Sequence, residues 1–302
     1  MKYVAGVDGG GTKTTVALAN MDGTLLFRTE VSALNFNGQT RERTRGTLES
    51  IIRVLENAPS GIMGCACLCI ATAGISNPEA REFVLNGIQE LGYHGKLRLA
   101  GDEHAALYGA MGRGEGIVLI AGTGSVCYGQ NAAGQSARTG GWGYLIDDAG
   151  SGYALGREIL SSVLQAYDGR IPQTGLTGLV LERLGISHAE EIIRYVYNPD
   201  TGKTGIASLA PLLSEGLEAD DAESYRIARD AACRLAGMVT AVARRLGLTH
   251  GQISLCGSVL VKNLIIAELT KNEILRLLPE ARLTKPKFDS AIGAVHMALE
   301  EI

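Results

Sequence analysis

The chain has 302 residues, of which 46% are hydrophobic, 20% charged and 5% aromatic. That composition suits a globular α/β protein of one large or two mid-sized domains and is too apolar for a disordered chain. A formal net charge of −4 gives no basis for a nucleic-acid partner. No apolar run approaches the ~20 residues of a membrane span. No signal peptide precedes the first strand, so a cytoplasmic protein without a membrane partner is expected.

The predicted elements begin with strands over 3–7, 14–19 and 24–31, with Asp22-Gly23 as a hairpin turn between the last two. Leu48, Ile51, Ile52 and Leu55 recur at helical spacing and predict a helix over 44–57. The basic run Arg41, Arg43 and Arg45 reads as a solvated face at its start. A buried strand over 65–71 follows. Its cysteines Cys65, Cys67 and Cys69 alternate, which at period two puts them on one face. They read as small apolar residues of a buried strand, because the CxxC knuckles of a zinc site are missing. Asn77-Pro78 opens the next helix as N-cap and first-turn proline. A strand over 97–100 then runs into Gly101-Asp102.

A second half begins near Gly116. A strand over 117–121 leads into Gly122-Thr123-Gly124-Ser125 and a return strand over 126–130. The first half does the same, with strand 4–7, Asp8 to Thr12, and return strand 14–19. This is a weak internal repeat of strand, glycine/hydroxyl turn and strand. Beyond Ser151 the periodicity predicts helices over 151–167, 189–197 and 222–246, a short strand over 253–256 ending in Gly257-Ser258, and a last helix over 289–299. The expected domains are 1–115, joined by the terminal helix 289–302, and 116–288.

Five motifs carry chemistry. In Asp8-Gly9-Gly10-Gly11-Thr12-Lys13-Thr14 the glycines let backbone approach an anion, Thr12 adds a hydroxyl donor, and Asp8 is placed to hold Mg²⁺ through water. A Walker A loop fails here, because position 12 is Thr and the Lys comes one residue late. A dinucleotide GxGxxG fails because Gly9 and Gly11 are followed by Thr14. Gly122 to Ser125 is weak alone. Paired with the first hairpin it offers a second clamp on a polyphosphate. Phosphoryl transfer needs mainly such positioning and charge stabilisation. Asp102 is read either as acceptor of the proton of an attacking hydroxyl or as a helix N-cap, and the two are compatible. Gly140 to Gly143, which includes the sole tryptophan, leads to Asp147, Asp148 and Ser151. The stretch reads as a sugar contact or as a packed turn. Gly257-Ser258, between strand and helix, lets backbone approach an adenine or ribose.

In this order along the chain the motifs resemble the BadF/BadG/BcrA/BcrD ATPase family of the actin/hexokinase/Hsp70 superfamily, with the nearest likeness to its N-acetylglucosamine kinases. The likeness is firm over 4–157 and looser beyond. It implies an α/β fold of two ribonuclease-H-like domains flanking a nucleotide cleft. It further implies ATP with Mg²⁺ as cofactors, a small-molecule sugar as partner, and a homodimer. Carried over by position, Gly9, Gly10, Gly11, Thr12, Lys13, Thr123, Gly124 and Ser125 would hold phosphates. Gly257, Ser258 and Lys262 would belong to the adenosine motif. Asp102 matches the catalytic base and Asp8 the metal-holding carboxylate. Asn35, Asp102, Ser125, Gly141, Trp142, Gly143 and Asp148 match sugar contacts. The chain departs from the pattern where Asp147 stands in place of a more usual Gly and Ala149 in place of an acidic residue.

The expected function is ATP-dependent phosphorylation of an amino-sugar hydroxyl at C6. The alternatives are a kinase for glucosamine or N-acetylmuramic acid, and an ATPase that activates a dehydratase or reductase partner. The last would need cysteines placed to bridge a cluster between subunits.

Overall fold

The computed structural model describes residues 2–36 and 39–302. Its contacts divide the chain into two compact units, one up to Glu115 together with Lys285–Ile302, the other Gly116–Thr284.

The first unit runs β1 (Tyr3–Gly9), β2 (Lys13–Asn20), β3 (Leu25–Ser32), α1 (Arg41–Glu56), β4 (Cys65–Thr72), α2 (Pro78–Glu90), β5 (Lys96–Ala100) and α3 (Asp102–Met111). Its sheet has the order β3-β2-β1-β4-β5. The β1–β2 and β2–β3 pairs are antiparallel, whereas β1–β4 and β4–β5 are parallel. Helix α1 starts three residues before the periodicity begins, because Thr40 caps it by accepting from the Arg43 amide. Asn77 caps α2 by accepting from the Glu79 amide.

Helices α1 and α2 cover one face. Leu48, Ile51, Ile52 and Leu55 of α1, with Val84 and Ile88 of α2, bury against Val7, Val16, Leu68 and Ile70. Each such side chain contributes roughly 1.5–3 kcal/mol of burial. Arg41, Arg43 and Arg45 point outward. Arg41 pairs with Glu79, and Arg45 with Glu90 at 2.9 Å, which makes a solvated, ion-paired face.

The second unit runs β6 (Gly116–Ala121), β7 (Ser125–Gln130), β8 (Ser136–Gly140), α4 (Gly152–Tyr167), α5 (Leu176–Leu184), α6 (Ile192–Val196), α7 (Gly202–Ala207) and α8 (Leu212–Glu218). It continues with α9 (Ala222–Leu246), β9 (Gln252–Cys256), α10 (Ser258–Lys262), α11 (Leu264–Leu277) and β10 (Arg282–Thr284). The sheet order β10-β9-β6-β7-β8 repeats the first sheet strand for strand, with β7 in the antiparallel role of β2. The core gathers Ile117 and Leu119 of β6, Ile159 and Val163 of α4, and Leu235, Val239 and Val242 of α9.

The last helix, α12 (Ser290–Leu299), belongs to the first unit. With α3 it covers the sheet face opposite α1 and α2. Small residues make this layer close: a Cβ at Gly6 would meet the backbone of α12, and one at Gly293 would meet Ala105 of α3.

Two sequence expectations are corrected. The helix expected over 189–197 is broken into a 3-10 turn, Ala189–Glu191, and the short α6. The cysteines do not share a face. Pairing between β1 and β4 shifts register between Tyr3 and Val4, so Cys65 lies opposite Tyr3 and Cys67 opposite Val4. One residue of bulge turns Cys65 to the α1/α2 side, while Cys67 and Cys69 pack under α12. All three are buried. Burial pushes the thiols of Cys65 and Cys69 up to about 12 and that of Cys67 up to about 11, far from the thiolate that binds metal.

Candidate active site

In the first unit, the carboxyl ends of β1, β4 and β5 carry the polar residues. These strand ends, with a glycine-rich turn beside them, are where open α/β sheets bind ligands. The turn Gly10–Gly11–Thr12 joins β1 to β2 and is closed by the Gly10 amide donating to the Lys13 carbonyl at 3.1 Å. None of Gly9, Gly10 and Gly11 has positive φ. Their role is room: a Cβ at Gly9 would sit 2.9 Å from Thr72, and one at Gly10 2.9 Å from the Lys13 carbonyl oxygen. Crowding, not left-handed torsion, is therefore what calls for glycine at 9 and 10. The Leu34 amide donates to the Gly10 carbonyl at 3.1 Å, and Thr72 Oγ1 donates to the Leu34 carbonyl at 2.7 Å. These two bonds bring Asn35 beside the turn, where a Cβ at Gly11 would lie 3.6 Å from Asn35 Nδ2. Lys13 pairs with Glu30 across the sheet.

Asp8 is the penultimate residue of β1. Its carboxyl is raised to about 6, by burial first and then by Asp289, with Arg28 and Lys13 opposing. Asp289 caps α12 by accepting from the Ile292 amide at 3.1 Å and pairs with Arg28.

Asp102 is the first residue of α3. Gly101 occupies the N-cap position and no side chain caps the helix, so the capping role weighed for Asp102 is not the one it plays. The Asp102 carboxyl is raised to about 7, by burial first, then by a hydrogen bond with Glu103 and by the charges of Glu103 and Asp8. Glu103 was not singled out in the sequence, where it reads as an ordinary first-turn acid. Folded back over Gly101, it lies where a Cβ at that position would go.

In the second unit, Gly122–Thr123–Gly124 joins β6 to β7 in the same way, and the Gly122 amide donates to the Gly124 carbonyl at 2.9 Å. The start of α4 docks on this turn. Gly152 donates to the Gly122 carbonyl at 2.7 Å and Tyr153 to that of Thr123 at 3.3 Å. Ser125 Oγ donates to the Ala149 carbonyl at 2.8 Å. Asp148, buried and with φ of 60°, turns its carboxylate onto the same hairpin, where Oδ1 accepts from the Ser125 amide at 3.4 Å. Its Oδ2 pairs with Lys203 at 3.0 Å.

Gly122, Thr123, Ser258 and Lys262 line one pocket together with Ser208, Pro211, Ser214 and Asn263. Gly257 has φ of 90°, and a Cβ there would run into the backbone of Ala121, so the turn into α10 requires glycine twice over. Gly141 and Gly143 have positive φ, and the Trp142 amide is 3.2 Å from Asp147 Oδ2. The Trp142 ring lies 5.2 Å from the Arg138 guanidinium and is largely exposed. Sequence reasoning missed Lys203, Ser208, Pro211 and Ser214. Lys203 carries a signal in the sequence, the glycine-flanked Gly202-Lys203-Thr204-Gly205, whereas the other three lie in a helical stretch without one and only the fold brings them to the hairpin.

The family model of the BadF/BadG/BcrA/BcrD ATPases matches residues 5–298 of the chain. The chain belongs to that family. It is 36% identical to an N-acetylmuramic acid/N-acetylglucosamine kinase of Clostridium acetobutylicum over 100% of this chain and 99% of that one. It is 30% identical to an N-acetyl-D-glucosamine kinase of Dictyostelium discoideum over 97% of both. A ROK hexokinase from Thermus thermophilus superposes with a TM-score of 0.61 at 16% identity, covering 98% of this chain and 97% of that one. The fold is the α/β actin/hexokinase type, with two mixed five-stranded sheets.

The family is one of ATP-using proteins, and its reactions imply Mg²⁺. The residues fit such an ion. The charge of Asp8 holds the Asp102 carboxyl toward its protonated form, which a divalent cation would offset. Among the described residues no group of three His, Cys, Asp or Glu side chains forms a cage. Mg²⁺ needs none, because it keeps several waters and takes one or two carboxylates plus substrate phosphates.

Proposed function

We propose that the chain is an ATP-dependent kinase of N-acetylated amino sugars, N-acetylglucosamine and N-acetylmuramic acid, acting on the C6 hydroxyl. The observation that carries this reading is the full-length relation to the C. acetobutylicum kinase, in a chain that has Asp102 and two glycine hairpins. Need of ATP supports work in the cytoplasm, and no helix among the described residues is long and apolar enough to cross a membrane.

Asp102 accepts the proton of the sugar hydroxyl. The hydroxyl oxygen then bonds to the γ-phosphorus as the bond from that phosphorus to the β–γ bridging oxygen breaks, and ADP leaves. General-base assistance of this kind is worth about 10²–10⁴-fold. The turns Gly9 to Lys13 and Thr123 to Ser125 hold phosphate oxygens through their remaining amides and hydroxyls, since the Gly10 amide is taken by the Lys13 carbonyl and the Ser125 amide by Asp148. Gly257, Ser258 and Lys262 take the adenosine. Asn35, Ser125, Asp148 and the backbone from Gly141 to Gly143, with Trp142 beside it, orient the sugar. Asp8 would hold Mg²⁺, which when bound neutralises charge on the phosphates.

The raised carboxyl of Asp102 supports its role, since a base poised near the working pH is the effective one. The test is product analysis after incubation with Mg·ATP and N-acetylglucosamine or its 6-deoxy analogue. A monophosphate from the first and none from the second is expected. Phosphate on the 6-deoxy sugar would move the reaction to another hydroxyl.

A further inference from the structure

Asp148 presents a difficulty for a nucleotide site. It is 3% exposed and turned onto the Gly122–Ser125 hairpin, with Oδ1 3.4 Å from the Ser125 amide. A Cβ at Gly124 would lie 2.8 Å from Asp148 Oδ2. A carboxylate in that place repels any polyphosphate the hairpin receives, and a buried charge is screened little by salt.

The structure supplies a countercharge. Lys203 Nζ lies 3.0 Å from Asp148 Oδ2, and the same Gly124 Cβ would be 3.2 Å from that ammonium. The lysine is held from several sides. Its ammonium stands 5.4 Å from the centre of the Tyr144 ring, which meets Tyr153 edge-on at 4.8 Å. It sits on α7, and α7 packs on α4 so closely that a Cβ at Gly156 would strike the Ile206 carbonyl. Helix α4 is the element whose first amides bind the Gly122 and Thr123 carbonyls. Lysine, carboxylate and hairpin thus form one connected assembly within the second unit.

We infer that Lys203 is a positioning residue of the nucleotide site: it cancels the charge of Asp148 where that carboxylate braces the second glycine hairpin, so the hairpin can receive the phosphates of a nucleotide. This rests on the nucleotide-binding reading above. It concerns binding of a polyphosphate anion, and its test omits the sugar, which Asp148 also contacts in that reading.

The experiment is calorimetric titration of the full chain with Mg²⁺ and the non-hydrolysable analogue AMPPNP, without sugar. Lys203→Met should weaken binding about tenfold relative to wild type, from an uncompensated charge at short range. Lys203→Arg, which keeps the charge, should stay within about threefold of wild type. The double variant Lys203→Met with Asp148→Asn should return to within about threefold, because the charge that needed cancelling is gone. Asn tolerates the left-handed backbone at 148. Unchanged affinity in Lys203→Met would overturn the inference. So would a loss that persists in the double variant, which would make the lysine a direct phosphate ligand or a packing residue. A change confined to the KM for N-acetylglucosamine would assign Lys203 to the sugar and equally overturn it. Absence of AMPPNP binding in wild type would instead bring down the nucleotide reading itself.

Discussion

Asp102 works at a carboxyl that burial, Glu103 and Asp8 all hold toward its protonated form. The acid form is inert as a base, so activity should fall as pH drops through the folded-state value of about 7 rather than near the ordinary carboxylate value of 3.8. Asp102→Asn should lower kcat by about 10²–10⁴-fold while AMPPNP binding stays close to wild type. Steady-state rates and the pH profile of kcat/KM check both statements. A wild-type rate in the Asn variant would remove Asp102 from the base role, and an acid limb near pH 4 would remove the influence of its neighbours. Asp102 was legible in the sequence because it stands where a predicted strand ends in Gly and a helix begins, a place that suits a base and a helix cap alike. The pairing of Lys203 was not, since its partner Asp148 is 55 residues away in the chain. Sequence periodicity says nothing about which side chains an ion pair will join at that separation. The side of the strand taken by Cys65 was misread for a related reason: a bulge of one residue is a property of the pairing partner, not of the strand that shows it.

Among the elements, strands followed by glycine and helices with apolar periodicity were readable, and α9 spans Ala222–Leu246 as its pattern predicts. The strands β8 and β10 were not. Ser136–Gly140 is polar, and Arg282–Thr284 has three residues, too few for any alternation to appear. Close helix contact sets another test. Helix α3 carries Asp102 and crosses α12 where a Cβ at Gly293 would collide with the Ala105 carbonyl. Gly293→Ala should cost about 1–3 kcal/mol of stability by overpacking and should lower activity with it, because α3 must shift. Gly237, on the exposed side of α9, has no neighbour within 4 Å of a Cβ. Gly237→Ala should therefore stabilise by about 0.4–1 kcal/mol and leave activity unchanged. Denaturant midpoints for the two variants decide the matter. Equal and opposite results, with Gly237→Ala the damaging one, would contradict the packing described for α3 and α12.

At the scale of the whole molecule, one topology is built twice. Each five-stranded sheet ends its first strand in a glycine hairpin; Asp8 lies at the end of β1, and Asp148 turns its carboxylate onto the hairpin after β6. The repeat was legible in the sequence as two matched strand–glycine–strand segments. The pairing of the remaining strands was not, because β4, β5, β9 and β10 join their sheets through intervening helices. Both halves of the chain lie within the family match and within the full-length relation to the sugar kinases. The proposed kinase activity is the coupling of ATP cleavage to an amino-sugar acceptor. Its most direct test is ADP release with Mg·ATP against N-acetylglucosamine, N-acetylmuramic acid, glucosamine, glucose and a blank without sugar. Release that depends on the N-acetylated sugars and is negligible in the blank is the result expected here. Equal release in every well, blank included, would contradict the account and leave an ATPase with no sugar acceptor.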